Sequence, residues 1–438
     1  MKPILLLSIF IGAIISCKSN KSVDNRPNII FIMVDDMGYA DLSSYGRTDY
    51  QTPILDAFID EGVKFTQAYS AAAVCTPSRV GLMTGRYPAR NKIGLHEPLR
   101  GEVDGIVGLS PEIPTLSSMI KKSGYETALF GKWHLGMAPE FLPDKHGFDQ
   151  FFGIIAGGAD YIDHESWFIK KPILYENDRP IEKSGYLTDL ITDYTIDFIN
   201  RKHHQPFFIS LQYTALHWPW QLPGDDPHPD GVNPMTGGTP EIFAGMVKNL
   251  DYNIGRVLEA LEDTGLKAST LVIFTSDQGG AEFSDMGPLK GGKSSLWEGG
   301  IRVPAAVRWP GIIQPNTTSE QVVINMDWTV TMLEVAQANT LENIAFDGIS
   351  LLSHFKDNSS ITPRKLYWRT SNWELQDAYR SDNWKYLKND EGEFLFDLEN
   401  DIGETTNLKD INTEKFDQLK REFQELDGQM LDRLILNE

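Results

Sequence analysis

Residues 27–36 read PNIIFIMVDD, an unbroken apolar run that ends in two adjacent carboxylates, Asp35 and Asp36. A run of this length without polar alternation is typical of a strand that is buried on both faces of a parallel sheet. In open α/β sheets, ligands bind at the edge formed by the carboxyl ends of the strands. The stretch therefore predicts an α/β fold with an acidic pair at its binding edge.

Three further stretches repeat this pattern of an apolar strand whose last residues are polar or ionisable. They are TALFGKWH (127–134), PFFISLQYTALH (206–217) and LVIFTSDQ (271–278). Two helical stretches lie between them, over residues 115–123 and 241–264, and the second has an apolar stripe at helical spacing. Alternating strands and helices predict a mostly parallel central sheet with helices on both faces.

The C-terminal part of the sequence has a different pattern. From residue 363 onward, short alternating segments occur (LYWR, AYRSDNWKYL and FLFDL), and a charged helical stretch over 413–436 follows them. These features predict a small antiparallel sheet with a terminal helix packed on the main domain. We therefore expect a catalytic domain over 27–362 and a C-terminal subdomain over 363–438, with a soft boundary.

Size and charge narrow the classes of function. The 438 residues suffice for one large α/β domain and a small accessory unit. The net charge is −21, from 40 basic and 61 acidic side chains. This balance argues against nucleic acid as a partner, because phosphate binding needs a basic face. A small anionic ligand remains compatible, since a local pocket can be positive on an acidic protein.

The N-terminus predicts export. Met1 and Lys2 precede an apolar run over residues 4–15, which is too short to span a bilayer but typical of a signal peptide. The end of that run, up to Cys17, resembles a bacterial lipobox; an ordinary secretory signal with an incidental cysteine is the alternative. We expect a signal peptide over 1–16, a lipidated tether over 17–26, and a lipid-anchored protein in the periplasm or at the outer membrane or cell surface.

Cysteine usage points to one residue. The sequence contains two cysteines, Cys17 and Cys75. If Cys17 carries lipid, Cys75 has no disulfide partner. A lone thiol in an oxidising compartment is a liability unless it is modified or used. Cys75 is therefore the first candidate for chemistry.

Cys75 opens the segment CTPSRVGLMTGR, residues 75–86, which resembles the motif of the formylglycine-dependent sulfatases. In that family the cysteine is oxidised to formylglycine (3-oxoalanine) by a formylglycine-generating or anaerobic sulfatase-maturating enzyme. The alternative is a strand-to-helix turn with a buried free cysteine. The resemblance runs from about Asn28 to Leu408, includes the phrase FLFDLENDIGETTNL, and implies the fold of the alkaline phosphatases.

The resemblance implies covalent catalysis. The aldehyde hydrates to a gem-diol; one hydroxyl attacks sulfur, and the other, once deprotonated, expels sulfate. Arg79, one helical turn after Cys75, would hold the diol and stabilise anionic oxygens at the metal. Lys132 and His134, in the phrase GKWHLG, match another family block: the lysine would bind sulfate oxygens and the histidine would deprotonate the diol.

Two further residues match family positions near the leaving group. His217 lies in LHWPW and Lys293 in GGKSSLWEGGIRVP. Both would contact the bridging oxygen of the ester, and one would protonate the leaving group. Lys290 is the alternative lysine, but the family lysine follows the paired glycines, which favours Lys293.

The acidic strand ends predict a metal site. Adjacent carboxylates repel one another unless a cation lies between them, and hard oxygen ligands suit Ca²⁺ or Mg²⁺. In the family the matching positions bind calcium, which would act as a Lewis acid on the sulfate. The family usually has Asn or His where this sequence has Gln278, which still offers a carbonyl oxygen. We expect Ca²⁺, with Mg²⁺ as the alternative, bound by Asp35, Asp36, Asp277, Gln278 and the modified Cys75.

Substrate recognition is less clearly marked. His164 follows a glycine-rich stretch beyond the Lys132 strand and is a candidate for a contact with a substrate hydroxyl or carboxylate. Aromatic side chains near a site often stack on sugar rings, although tryptophan more often serves packing. The other candidates are His96, Trp218, Trp220 and Arg380.

These patterns lead to the hypothesis of an exported sulfuric ester hydrolase that acts on sulfated oligo- or polysaccharides, such as ulvan, carrageenan or glycosaminoglycan. The strongly acidic surface favours short oligosaccharides or chain ends. Because phosphate and sulfate are isosteric, a phosphatase, phosphonate monoester hydrolase or phosphodiesterase of the same superfamily is one alternative. A non-catalytic surface protein that binds sulfated glycans is the other.

Overall fold

The structure is a computed structural model of the chain. It describes residues 24–100, 107–166, 173–229, 231–338, 344–357, 362–371 and 374–434. The expected signal peptide and Cys17 lie outside these residues. Within the described ranges, no helix combines the length and the apolar character that a membrane span requires.

The main part of the described chain is built on one sheet of eleven strands. The strand order is β10-β2-β9-β8-β1-β7-β3-β4-β5-β6, with β11 paired to β2. The strands are β1 (Asn28–Val34), β2 (Val63–Tyr69), β3 (Glu126–Gly131), β4 (Gln150–Ile154), β5 (Leu174–Glu176), β6 (Arg179–Pro180), β7 (Phe207–Gln212), β8 (Thr270–Ser276), β9 (Arg302–Arg308), β10 (Thr317–Ser319) and β11 (Val323–Ile324).

The centre of this sheet is parallel. β1 pairs in parallel with β7 and β8, and β3 pairs in parallel with β7 and β4. β9 is antiparallel to both β8 and β2, and β5 and β6 turn back at the opposite edge. Every residue of β1 is buried, which explains why its sequence lacks polar alternation. The predicted mostly parallel central sheet is confirmed.

Helices pack in two groups around the sheet. In one group α5 contacts α1 and α4, and in the other α2 contacts α3 and α7. The helix predicted over 115–123 is α3, which begins after Thr115, whose hydroxyl accepts the Ser118 N–H. The helices are α1 (Pro53–Asp60), α2 (Cys75–Thr84), α3 (Leu116–Lys122), α4 (Leu187–Ile199), α5 (Pro240–Asp263), α6 (Glu298–Ile301), α7 (Asn325–Val335), α8 (Leu352–Asp357) and α9 (Thr413–Asp427).

The C-terminal part forms a separate antiparallel sheet, as predicted, with four strands in sequential order. The terminal helix α9 packs on β13 and β14. These strands are β12 (Lys365–Arg369), β13 (Asp377–Ser381), β14 (Trp384–Asn389) and β15 (Gly392–Asp397).

The terminal helix is shorter than the predicted stretch over 413–436. It ends at Asp427, and the residues that follow bond to other parts of the chain. The Leu431 N–H donates to the Ala89 carbonyl at 3.0 Å, and the Arg433 guanidinium donates to the Thr370 carbonyl at 2.7 Å. These bonds connect the end of the described chain to Ala89 in the main domain and to Thr370 beside β12.

Candidate active site

The acidic residues of two adjacent parallel strands meet at the carboxyl edge of the main sheet. The register of β1 and β8 pairs Val34 with Ser276, so the residues that follow each strand lie side by side. The Asp277 N–H donates to the Val34 carbonyl at 3.0 Å, which continues the pairing past the strand end. We call the four buried side chains that result the strand-end cluster: Asp35, Asp36, Asp277 and Gln278.

The strand-end cluster fits a hard divalent cation. One oxygen from each of its three carboxylates lies within 4.8 Å of the others. The Gln278 amide donates to Asp36 Oδ1, while Gln278 Oε1 and Asp35 Oδ1 are buried without a hydrogen-bond partner among the described residues. Buried polar atoms are nearly always partnered, so these oxygens suit a ligand. An all-oxygen set of this kind suits Ca²⁺ or Mg²⁺.

Three cationic side chains surround the same carboxylates. They balance the three negative charges formally, so a divalent cation would leave the site with net positive charge. Such a site is electrostatically complementary to an anionic substrate. The ion pairs are Lys132 with Asp35, Lys293 with Asp36 at 2.6 Å, and Arg79 with Asp277 at 2.9 Å.

Proximity and burial shift the pKa values of the carboxyls in opposite directions. Burial raises the pKa of Asp277 to about 7, and the Asp35 carboxylate contributes to that rise. Burial also raises the pKa of Asp35, but the charges of Lys132, Arg79 and Lys293 lower it overall. Two carboxylates this close oppose each other's ionisation, and a bound cation would relieve that repulsion.

Cys75 is the first residue of α2 and is only 2% exposed. Burial raises the pKa of its thiol, so the group remains protonated at neutral pH. Its helix is joined to the strand-end cluster through Ser78, whose hydroxyl donates to the Asp277 carbonyl. The Asn325 amide in turn donates to the Ser78 carbonyl and hydroxyl, both at 2.9 Å.

The two predicted catalytic histidines are buried and uncharged at neutral pH. Burial, and then the Lys132 charge, lower the pKa of His134 well below its usual value. Burial and Lys293 lower the pKa of His217 to about 4. His217 Nδ1 donates to the Trp218 carbonyl at 2.7 Å, so Nε2 is the ring nitrogen that can accept a proton.

The two candidate lysines have different surroundings. Lys293 Nζ contacts Asp36, and its backbone N–H donates to the Gly280 carbonyl at 2.9 Å. Lys290 Nζ lies 3.5 Å from the centroid of the Trp297 ring, a cation–π contact. The structure therefore brings Lys293, and not Lys290, to the strand-end cluster.

Among the candidate sugar contacts, Trp218 lies beside His217. Its ring centroid is 4.4 Å from that of His217. Trp220 is buried against Phe283. His164 is also buried, and its Nε2 donates to the Gly185 carbonyl at 2.9 Å.

The structure places Arg380 away from the strand-end cluster and His96 beside α2. Arg380 is buried on β13, where its guanidinium donates to Tyr69, to Gln67 at 2.5 Å and to the Asp382 carbonyl at 2.6 Å. These bonds join the C-terminal sheet to β2. His96 is half-buried at the end of a short 3₁₀ turn that packs near α2.

Three residues of the site were not among the predicted ones. Gln212 accepts a hydrogen bond from Arg79 at 3.0 Å, Asn325 bonds Ser78, and Thr76 contacts His134. Gln212 stands at the polar end of β7, so the rule that identified Asp35 could have identified it too. Asn325 and Thr76 carry no comparable signal, because their roles depend on contacts between distant segments.

Comparison with protein families gives two matches. Residues 27–338 match the family described as Sulfatase. Residues 292–430 match the family described as N-sulphoglucosamine sulphohydrolase, C-terminal. The first match covers the strand-end cluster and the Cys75 segment, and the second covers the C-terminal sheet and α9.

Individual proteins show the same relationship. The chain is 35% identical over 352 residues to human N-acetylgalactosamine-6-sulfatase, covering 74% of this chain and 65% of the human one. It is 30% identical to rat steryl-sulfatase, covering 74% of this chain and 70% of that enzyme. Among solved structures, Ps i-CgsB in complex with k-i-k-neocarrahexaose superposes with a TM-score of 0.83 at 30% identity, over 94% of this chain and 95% of that one.

Proposed function

The chain belongs to the sulfatase family, whose members hydrolyse sulfuric esters, and we propose that it removes sulfate from sulfated carbohydrates. The nucleophile would be a formylglycine made from Cys75, and Ca²⁺ would bind at the strand-end cluster. The observation that carries this proposal is the arrangement of that cluster. Three carboxylates, three cations and two buried unpaired oxygens lie beside the helix that begins at Cys75.

The state of Cys75 supports a modified nucleophile over a simple thiolate. Thiolates act as nucleophiles, and burial raises the pKa of this thiol instead of lowering it. Formylglycine supplies a hydrated aldehyde, whose two hydroxyls allow attack on sulfur and later release of sulfate. Asp35, Asp36, Asp277 and Gln278 would hold the metal, which supplies Lewis acidity toward the sulfate oxygens.

The remaining polar residues of the site would divide the work on substrate. Arg79 and Lys132 would hold the anionic oxygens of the sulfate group, because their guanidinium and ammonium groups point into the cluster. Neutral His134 would accept a proton at residue 75. His217 and Lys293 would contact the bridging oxygen, where a proton donor assists departure of the sugar alcohol.

Two relatives support a carbohydrate substrate. The human relative is an N-acetylgalactosamine-6-sulfatase, and Ps i-CgsB binds k-i-k-neocarrahexaose. The net charge of −21 favours short oligosaccharides or chain ends over long polyanions. Trp218, packed on His217, would offer a ring face to the sugar, and His96, His164 and Arg380 stay weaker candidates. Export with a lipid anchor at Cys17 would place the enzyme where such polymers occur.

The test begins with protein made in a host that contains a maturation enzyme. Mass spectrometry of the peptide that holds residue 75 should show loss of the thiol and gain of an aldehyde. Cys75→Ser should keep substrate binding but reduce turnover by about 10⁴-fold or more, as removal of a nucleophile typically does. An unmodified peptide in protein that still cleaves sulfate esters would refute the mechanism.

A second arm of the test addresses the substrate. Sulfate release would be measured on a panel of defined sulfated oligosaccharides, paired with the matching phosphate and phosphonate esters. We expect sulfate esters of sugars to be preferred. Faster cleavage of the phosphorus esters would instead identify the protein as a phosphatase or phosphonate hydrolase of the same fold.

A further inference from the structure

The ring of His134 is held by a backbone carbonyl. Its Nε2 lies 3.0 Å from the Leu99 oxygen. A carbonyl oxygen can only accept, so Nε2 must carry the hydrogen. Nδ1 is buried and has no hydrogen-bond partner among the described residues. The neutral ring is therefore in the tautomer in which Nδ1 has the available lone pair, as a base requires.

Thr76 also holds the backbone of Leu99 in place. Its hydroxyl accepts the Leu99 N–H at 3.1 Å and lies 3.3 Å from His134 Nε2. On another side, Gly157 packs so closely that a Cβ there would lie 2.6 Å from His134 Cε1. The ring therefore fits between Thr76, Leu99 and Gly157, and it has little room to rotate.

The residues just before Leu99 are bonded to the C-terminal part of the chain. The Ser371 N–H donates to Glu97 Oε2 at 2.6 Å, and both residues are buried. Ser371 lies just beyond β12, in the C-terminal part of the chain. The segment 97–99 is thus bonded to Ser371 at one end and to Thr76 at the other.

We propose that Thr76 and Glu97 are positioning residues that hold the Leu99 carbonyl against His134 Nε2 and so keep Nδ1 as the basic nitrogen. The inference rests on the role of His134 in the proposed function. It also gives the C-terminal sheet a part in catalysis: the sheet orients the base through Glu97, although its own residues need not touch the substrate.

Matched variants separate the hydrogen bonds from packing. Thr76→Val removes the hydroxyl at nearly constant shape, and Thr76→Ser keeps it. Glu97→Ala removes the acceptor for Ser371, and Glu97→Gln keeps an oxygen there. With rates normalised to the fraction of residue 75 that is converted, Thr76→Val and Glu97→Ala should lower kcat about tenfold with little change in KM, as loss of a positioning hydrogen bond does. Thr76→Ser and Glu97→Gln should stay within about twofold of the original enzyme.

Two measurements do not depend on turnover rate alone. Histidine-selective nitrogen NMR of the unconverted Cys75 protein should show His134 with Nε2 protonated and Nδ1 unprotonated, the signal being assigned by its absence in His134→Ala. Thr76→Val should shift this signal toward a mixture of tautomers. During turnover, mass spectrometry should find more sulfate retained on the residue 75 peptide of Thr76→Val, because a misplaced base slows its release.

The outcomes distinguish this inference from the proposed function. A His134 signal with Nδ1 protonated would overturn the inference, as would a Thr76→Val enzyme with unchanged kcat and tautomer, even if its melting temperature falls. Failure of the converted protein to release sulfate from any ester would refute the proposed function, and the NMR measurement would still test the tautomer. If Glu97→Ala does not fold, the Thr76 pair and the Glu97→Gln variant carry the test.

Discussion

The protein contains two buried groups of charged side chains, and they differ in how fully they satisfy one another. The strand-end cluster leaves Asp35 Oδ1 and Gln278 Oε1 buried without hydrogen-bond partners among the described residues. The second group, here called the interface cluster, lies between the main sheet and the C-terminal sheet. It consists of Tyr69, Glu298, Arg302, Lys385 and Glu404.

In the interface cluster every charged group has an opposite charge beside it. Lys385 Nζ lies 2.9 Å from Glu298 and 2.7 Å from Glu404. Glu298 also accepts from Tyr69 at 2.5 Å and pairs with Arg302 at 3.3 Å. Lys385 belongs to β14 and Glu298 to α6, so these bonds connect the C-terminal sheet to the main domain.

This difference distinguishes a cluster that joins two parts of the chain from one that could bind a ligand. In the interface cluster the one oxygen without a hydrogen bond among the described residues, Glu404 Oε1, lies 2.7 Å from Lys385 Nζ, so it is paired by charge and is not open to a ligand. Burying an oxygen without a hydrogen-bond partner lowers the free energy of unfolding, and a bound cation would remove that penalty. Burial of charge alone therefore does not identify an active site; at the strand-end cluster the added feature is that two unpaired oxygens lie among carboxylates and cations at one sheet edge.

The largest change in the free energy of unfolding should come from removing a carboxylate from the interface cluster. Glu298→Ala leaves Lys385 and Arg302 with buried charge that is no longer balanced, so the free energy of unfolding should fall by about 3–5 kcal/mol. Glu298→Gln keeps the shape and an acceptor oxygen and should lose less. Denaturant titration measures both. The exposed Glu259→Ala on α5 is the control, with a change within about 0.5 kcal/mol. Equal stability of Glu298→Ala and Glu259→Ala would show that the interface cluster does not stabilise the fold.

The next effect should appear on adding metal to the strand-end cluster. A cation that binds only the folded protein, at about 100 times its Kd, should raise the free energy of unfolding by about 2.7 kcal/mol. Thermal unfolding with Ca²⁺ and with a chelator measures this increment. Asp35→Asn should reduce it sharply, whereas Glu298→Gln should leave it unchanged. Equal stabilisation of Asp35→Asn by Ca²⁺ would show that the metal binds elsewhere.

The third effect concerns pH and Glu404. Burial raises the pKa of Glu404 to about 7, above its ordinary value of 4.5. The folded protein therefore keeps this proton over a range where the unfolded chain has lost it, so stability should fall as pH rises from about 4.5 to 7. Glu404→Gln cannot titrate, and denaturant titrations across that range should show a shallower decline. A parallel decline in both proteins would assign the slope to other groups.

Local patterns were sufficient to predict the core of the fold. Strands such as β1 and β8 have no polar alternation, and their ends carry the acidic residues, so both the parallel sheet and its acidic edge follow from the sequence. The alternating pattern of β13 predicted an antiparallel strand, but it did not predict which other segments that strand would contact. For that reason the sequence did not indicate that Arg380 would lie where β13 meets β2 and donate to Gln67.

Other features depend on contacts that no local pattern encodes. Beyond the end of α9 at Asp427, Leu431 and Arg433 bond to carbonyls that are distant in the sequence. The hold on His134 comes from the Leu99 carbonyl, a backbone atom that every residue possesses. Side-chain chemistry can be anticipated from sequence, but the use of backbone atoms appears only once the chain is folded.

The burial of Cys75 also imposes an order of events. With 2% of the residue exposed, a modifying enzyme could not reach the thiol in the finished fold, so the proposed conversion to formylglycine would have to precede folding. The helix that begins at Cys75 is bonded to Asp277, some two hundred residues later in the chain. Long-range pairing of this kind forms slowly, which lengthens the interval during which the thiol is accessible. Mutations that accelerate folding would therefore yield a stable protein with less of the proposed formylglycine.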